Sequence, residues 1–408
     1  MSNSENIGLD KNKEILPLAS STWGQAEKNA AIGIINSEKV TMGEKVLEFE
    51  EVFAQKFGSK FAVMVNSGSS ANLLAITSLM YLKDRPLKAG DEIIVPSLSW
   101  STTYYPVTQC GMKLVIVDID RETLNIDVKE IKKALSAKTK AIFVPNILGN
   151  PAPLIELKQI CEEHDLYLIE DNCESMGAKL GDKFAGTFGI CGTFSTYFSH
   201  HISTIEGGVV VTDDEYLYQL MLSIRSHGWT RALPKNNLIT NKSENSFYEQ
   251  FRFILPGYNI RPMELTAAIG LEQLKKLDGF VSMRRENAIK FKNLFSSVIG
   301  VRTQREVGFS SWFGFSLVFD NIKTRDDMAK LLQEYGVSVR PVIAGCILNH
   351  DVISYLDSRV VGEHCNAKHV HDCGLFIGNH HYDISEGLIK LKDIISVSSK
   401  RPEHATVF

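Results

Sequence analysis

The most unusual peptide in the chain is Ser199-His200-His201-Ile-Ser-Thr-Ile-Glu206-Gly-Gly208, preceded by Thr193-Phe-Ser195. Adjacent histidines bracketed by serines and closed by Glu-Gly-Gly are hard to explain as packing. An imidazole titrates near neutrality, so either ring suits the taking and returning of a proton. Adjacent residues on a strand face opposite ways, which makes the pair a poor clamp for one metal ion. A second cluster, Asn66-Ser-Gly68-Ser69-Ser70-Ala71, stands between an apolar run and a helical pattern carrying Leu73, Ile76 and Met80. Gly68 permits a sharp turn there, and Ser69 and Ser70 put hydroxyls beside the free N–H groups of a helix start. That is either an anion site fit for a phosphate or a plain serine N-cap. A third, Leu168-Ile-Glu-Asp171-Asn-Cys-Glu174, sets carboxylates at the carboxyl end of a buried strand, the edge where open α/β sheets bind ligands. Asp171 there either holds a protonated ring nitrogen or caps a helix.

The elements that position these clusters follow from periodicity. From about residue 44 to about 212, short β-branched runs alternate with amphipathic stretches, as in a mainly parallel sheet covered by helices on both faces. The runs 61–65, 92–96, 113–117, 141–144 and 166–169 are expected as buried strands, and 191–197 and 208–211 as a further pair around the histidines. Helices are expected over 128–134 and 153–163. Residues 229–249 are rich in Asn, Lys and Ser without periodicity, a long loop of the kind that serves as a lid or a cross-dimer arm. Pro262 is placed to open a helix through 263–277. From about residue 280 a smaller α/β unit is expected, with a strand at 312–319 and a helix at 325–335. The division is therefore an N-terminal segment with a large domain over 1–279 and a small C-terminal domain over 280–408.

Bulk composition narrows the function. With 408 residues, 44% hydrophobic and 23% charged, the chain has ample material for a large core. A net charge of −4 argues against binding nucleic acid by phosphate neutralisation. No apolar run is long enough to span a bilayer, and Met1–Lys13 has no apolar stretch of a signal peptide, so a cytoplasmic protein is expected. Seven scattered cysteines suit a reduced compartment better than a disulfide framework. The stretch His364-Cys365…His369…His371…Cys373 invites a metal reading, but it has no CxxC pair and fits no common zinc spacing, so no metal is expected.

Taken in order, the motifs Asn-Ser-Gly-Ser-Ser, strand-end Glu-Asp171, Ser195-x-Tyr-x-x-His200-(x)5-Glu206-Gly-Gly and Gly-Tyr-Asn259-Ile-Arg261-Pro-Met-Glu resemble the DegT/DnrJ/EryC1/StrS family. These are sugar aminotransferases of the aspartate-aminotransferase fold (fold type I) that use pyridoxal 5'-phosphate (PLP). The resemblance implies an α/β architecture with a large, mainly parallel PLP-binding domain and a smaller C-terminal one. It implies that Gly68, Ser69, Ser70 and Ser195 grip the phosphate and that Asp171 pairs with the pyridine nitrogen. Trp100 would stack on the ring, its other reading being a core tryptophan. Asn259 would reach the phosphate from the neighbouring subunit, making a homodimer with shared active sites.

Two departures from the family pattern redirect the chemistry. The family lysine lies six residues before the Glu of Glu-Gly-Gly, and that position is His200; the usual Gln three residues after the Asp is Glu174, which the resemblance counts among the cofactor-binding residues. A histidine there marks a dehydratase branch. An imidazole forms no stable Schiff base, so PLP or pyridoxamine phosphate (PMP) is expected to be held without a covalent link, while the proton-shuttling role survives. The implied reaction uses L-glutamate to convert PLP to PMP. His200 then removes the C4′ proton and the C3 hydroxyl of a nucleotide-linked 4-keto-6-deoxy sugar, GDP-linked in the branch these motifs resemble, is expelled. The products are a 4-keto-3,6-dideoxy sugar and ammonia. His227 and His201 are candidates for a second acid, His201 being the more structural of the two. Arg261 is a candidate carboxylate or phosphate anchor, with Arg225, Arg231 and Arg340 in competition. A related branch carries a [2Fe–2S] cluster and works with a reductase; lacking three clustered cysteines, this chain is expected to have neither. Rival readings are an ordinary sugar aminotransferase, a metal-dependent hydrolase built on the His and Cys clusters, and a non-catalytic relative that binds a ligand.

Overall fold

The computed structural model describes residues 14–398; the reading of Met1–Lys13 lies outside them. The strands, in chain order, are β1 (Phe61–Val65), β2 (Glu92–Pro96), β3 (Lys113–Val117), β4 (Thr139–Pro145), β5 (Tyr167–Asp171), β6 (Lys179–Leu180), β7 (Lys183–Phe184), β8 (Cys191–Ser195), β9 (Gly208–Thr212), β10 (Val301–Arg302), β11 (Gly314–Phe319), β12 (Val339–Arg340), β13 (Ser358–Val360) and β14 (Gly374–Gly378). Eight of them form one sheet in the order β1-β9-β8-β5-β4-β2-β3-β13. Within it β9 runs antiparallel to both neighbours and the other pairings are parallel. The β6–β7 hairpin stands apart.

Strand alternation feeds separate cores on the two faces. In β1, Val63 and Val65 pack with the helices Gly68–Leu79 and Glu215–Ile224, whereas Ala62 and Met64 pack with Glu44–Phe57 and Glu264–Phe295. In β3, Leu114 and Ile116 face the first core, while Val115 and Val117 face a third formed with the helices Val128–Ala134 and Leu154–Glu163. Coverage on both faces explains why these strands read as nearly continuous apolar runs.

A four-stranded antiparallel sheet, β10-β11-β14-β12, carries its own core of Phe315, Leu317, Leu375 and Ile377. The two sheets are joined by the 32-residue helix Glu264–Phe295. Its first half gives Ala267, Leu271 and Leu274 to the large-sheet core, and its second half gives Ala288, Phe291 and Phe295 to the small one. Position 280, where the sequence suggests a boundary, thus falls inside a helix. The chain crosses between units twice more: Leu16 packs in the small core and bridges Val337, and β13 returns to extend the large sheet beside β3. Pro262 does not open the long helix; Met263 is its N-cap and Pro262 precedes it. Glu264 in its first turn accepts from the N–H groups of Gly43, Lys45 and Val46 at 2.7, 2.8 and 2.9 Å, capping the Glu44–Phe57 helix.

One of the sequence's candidate anchors is used up in this framework. Arg225 is buried and donates to Glu50 and to the carbonyl of Met64 (2.6 Å), while Glu50 accepts from the Met64 N–H at 2.7 Å. The pair pins β1, and with it the turn into Gly68, to two helices. Glu50→Ala strands the guanidinium without a counter-ion and is expected to cost about 3–5 kcal/mol, read as a fall in the denaturant midpoint. Replacing both residues by methionine is expected to recover most of the loss.

Candidate active site

At the carboxyl ends of β4, β5 and β8, facing the start of the Gly68–Leu79 helix, lies a cavity of about 430 Å³. Gly68, Ser69, Trp100, Asp171, Glu174, Ser195 and His200 all line it. The helix start and the sheet meet there at backbone contact. A Cβ on Gly68 would stand 2.6 Å from Ser195 Cβ and 2.9 Å from Cys173 Sγ, and one on Gly208 would stand 2.2 Å from the Ser67 carbonyl oxygen. Ser67 is the N-cap: its Oγ accepts from Ser70 N at 3.1 Å and bonds Ser70 Oγ at 3.0 Å. Ser70 Oγ accepts from the cap and keeps its own O–H to donate; it does not line the cavity, where Ser69 and Ser195 are the hydroxyls at the helix's positive end.

Asp171 ends β5 and is buried. Its Oδ2 accepts from Asn72 Nδ2 (2.8 Å) and Thr103 Oγ1 (2.9 Å), and its Oδ1 from Cys173 N (3.1 Å). A carboxylate offers roughly four lone-pair directions, so these donors fix its plane and leave capacity for one more N–H from the cavity. Trp100 stands at the mouth, 51% exposed, which excludes its reading as a core tryptophan. Glu174 is largely enclosed, and its Oε2 accepts from Leu148 N at 3.1 Å. Burial pushes its carboxyl up to about 7, against the opposing pull of Arg340 and that N–H.

His200 shares the cavity, its ring 5.3 Å from Phe313 and edge-on to Tyr197 at 5.8 Å. Its Nδ1 is enclosed and meets no partner among the described residues. Burial, reinforced by the guanidinium groups of Arg340 and Arg284, pushes the imidazole down to about 3, so it is unprotonated at neutral pH. His201 turns elsewhere: it is fully buried, with Nε2 3.1 Å from the Ser311 carbonyl, the structural role expected of it. Arg284, buried on the long helix, donates to the carbonyls of Phe313 and Asn379 at 3.0 and 2.6 Å and so holds the wall behind both histidines.

The remaining candidates lie apart from this cavity. Asn259, Arg261 and Arg231 line a second one of about 470 Å³ together with Trp229, and Arg261 Nε donates to Asn259 Oδ1 at 3.0 Å. His227 is on neither wall; its backbone has φ of 63° and its ring lies 5.0 Å from Trp229. Arg340, a competitor among the sequence's arginines, lines the His200 cavity and stacks on Phe376 at 4.4 Å. Asn72 and Thr103, which orient Asp171, escaped the sequence reading. The signal was faint: each is a polar residue near the start of a helix that follows a cavity residue.

The model of the DegT/DnrJ/EryC1/StrS aminotransferase family matches residues 22–381. The chain belongs to that family. It is 52% identical over 383 residues to a GDP-4-keto-6-deoxy-D-mannose 3-dehydratase of Yersinia pseudotuberculosis, covering 93% of this chain and 98% of that one. A protein of the same description from Escherichia coli O55:H7 is 49% identical, covering 93% and 99%. Among solved structures, a GDP-4-keto-6-deoxymannose-3-dehydratase with a trapped PLP-glutamate geminal diamine superposes with a TM-score of 0.91 at 49% identity, covering 93% of this chain and all of that one. The E. coli enzyme with bound hydrated PLP gives 0.92 at 48%, covering 94% and 100%. The fold is thus the fold type I architecture that the motifs of this family imply. Among the described residues no group of three or more His, Cys, Asp and Glu is placed to hold a metal ion, and no helix is long and apolar enough to cross a membrane.

The raised carboxyl of Glu174 has a sign that can be measured. With its pKa lifted from 4.5 to about 7, the folded protein binds a proton that the unfolded chain releases across that interval. Stability contributed by this group falls as pH rises from 4.5 to about 7, by up to about 3 kcal/mol, and stays lowered above it. Glu174→Gln is neutral throughout and keeps an acceptor for the Leu148 N–H. Without cofactor, it is expected to melt above the wild type when the pH exceeds about 7 and to match it below about pH 5, as followed by calorimetry.

Proposed function

We propose that this chain is a PLP-dependent 3-dehydratase of a GDP-linked 4-keto-6-deoxy sugar, using L-glutamate as amino donor and releasing ammonia. The observation that carries the reading is a histidine, His200, where the family pattern has its lysine, lining a cavity whose other residues fit PLP. The cavity fits the cofactor on its own evidence. The glycine cradle at Gly68 leaves room that a Cβ would fill, and Asp171 keeps one acceptor direction open. Ser69, Ser195 and the helix start would hold the phosphate, Asp171 the ring nitrogen, and Trp100 the ring face. Bound there, PLP supplies an electron sink for breaking bonds next to the sugar carbon it engages.

His200 has no amine to bind the aldehyde, so it does not hold the cofactor and does not release products by exchange. What remains to it is proton transfer at C4′, for which an imidazole has both an accepting and a donating form. Arg340, which makes no salt bridge among the described residues and lines the same cavity, is placed to receive a carboxylate such as that of glutamate. Asn259, Arg261 and Arg231 lie outside the His200 cavity of their own chain. That separation supports the reading that they complete the site of a second copy in a homodimer, with His227 close behind them. No observation favours amino transfer to the sugar over this reaction.

With PLP, L-glutamate and GDP-4-keto-6-deoxymannose, the protein is expected to yield the 3-deoxy-4-keto sugar and free ammonia, identified by mass and a coupled ammonia assay. Accumulation of a 4-amino sugar that keeps oxygen at C3 would refute the assignment. Gly68→Ala is expected to weaken PLP binding by at least about tenfold, seen in absorbance titration, because the added methyl meets Ser195 and Cys173.

A further inference from the structure

Ile343 is held in a backbone conformation that its side chain resists. Its φ is 56°, in the left-handed region where a β-branched residue is an outlier and where Asn or Gly would sit with little strain. The residue is buried and lines the His200 cavity just after Arg340 in the chain. Its turn is pinned to the large sheet. Gly345 N donates to the Val342 carbonyl at 2.8 Å, Leu98 and Cys346 form an antiparallel bridge, and Ile347 N donates to the Ser97 carbonyl at 2.9 Å. Strain retained in a fixed turn on a cavity wall points to a need for that side chain there. Ile147, on the connection after β4, is buried in the same apolar cluster and lines the same cavity, beside Pro145 and Asn146. Asn146 has both amide atoms engaged: Nδ2 donates to Asn172 Oδ1 at 2.6 Å, and Oδ1 accepts from Ala152 N at 2.7 Å. The cavity therefore has a polar part, with His200, Glu174 and Arg340, and a dry part at Ile147 and Ile343.

A 4-keto-6-deoxy sugar has one wholly apolar group, the methyl on C5. For the reaction proposed above, C4 must enter beside His200. C3 with its hydroxyl and C5 with its methyl flank C4 in the ring and enter with it, while C1 and the nucleotide lie across the ring, toward the mouth. The C3 hydroxyl belongs with the polar part of the wall, which leaves the dry part for the methyl. We propose that Ile343 and Ile147 form the seat of the C5 methyl group and make the site selective for 6-deoxy sugars over those that keep a hydroxyl at C6. A hydroxymethyl group in that seat loses its hydrogen bonds to water and finds no partner on either isoleucine. The strain at Ile343 then has a reason: a bulky apolar group is kept where Asn would fit the backbone better.

This inference rests on the reading of the substrate as a GDP-linked 6-deoxy sugar, and its test keeps the two apart. The PLP-loaded protein is titrated calorimetrically with GDP-6-deoxymannose and with GDP-mannose, which differ by one oxygen at C6 and carry no ketone to react. Wild type is expected to bind the deoxy sugar about tenfold more tightly. Ile343→Leu, apolar and unbranched at Cβ, is expected to keep that ratio. Ile343→Asn, suited to the backbone but polar, is expected to bring it below about threefold by gaining affinity for GDP-mannose. Equal binding of the two sugars by wild type, or a ratio that survives in Ile343→Asn, overturns the seat. A ratio that falls alike in both variants marks a loss of shape rather than of dryness and overturns it too. So does a tenfold loss of PLP affinity in Ile343→Asn, followed by absorbance, which would place the side chain on the cofactor. Wild type that binds neither sugar nucleotide overturns the substrate reading and the seat with it. Wild type that shows the tenfold ratio yet leaves the C3 oxygen of GDP-4-keto-6-deoxymannose in place with glutamate overturns the dehydratase reading and supports the seat.

Discussion

The close approach of two backbones fixes everything else in the cavity. Ser67 and Gly68 lie against Ser195 and Gly208 at separations that admit no Cβ on either glycine. This contact carries the free N–H groups of the Gly68–Leu79 helix to the ends of β5 and β8. It also sets where an anion would sit relative to Asp171 and His200. The contact is itself braced: the buried Arg225–Glu50 pair holds Met64 in β1, and the Ser67 cap starts the helix just after the strand stops. Buried polar groups on two helices that pack on the sheet, Asn72 and Thr103, then fix the Asp171 carboxylate.

The electrostatic character of the site follows from burial acting on groups of opposite kinds. The same enclosure that strips charge from His200 keeps a proton on Glu174. Arg340 and Arg284 add positive potential, which disfavours an imidazolium and favours anionic ligands. Near neutral pH the cavity therefore holds an uncharged imidazole and a carboxyl in the middle of its titration. An amine at position 200 would instead be drawn to the aldehyde of PLP, and the chemistry would turn to exchange of the amino group.

The large sheet was legible because its strands are covered on both faces: β1, β2 and β3 have the limits that their apolar runs imply. The site motifs were legible for a related reason, since Gly68, Asp171 and Ser195 each sit at the end of an element and His200 lies in the short connection between β8 and β9, where residue type answers to backbone geometry. What escaped depends on contacts distant in sequence. Three residues, Ser358–Val360, have no pattern of their own and become β13 only beside β3. The helix from Glu264 outlasts its expected end at 277 because its second half packs on a different core, and its apolar stripe changes partner there. Arg340 stood undistinguished among several arginines until β12, a two-residue strand, brought it to the cavity. Arg225, plausible as a ligand contact, is consumed by the framework.

The central claim is that His200 replaces a covalent anchor with a proton-transfer group. Borohydride reduction of the PLP-loaded protein, followed by intact-mass measurement, tests it most directly. The account predicts a polypeptide of unmodified mass, with all the B6 recovered free after unfolding, and a stoichiometric phosphopyridoxyl adduct only in His200→Lys. A stoichiometric adduct on the wild-type chain would contradict it.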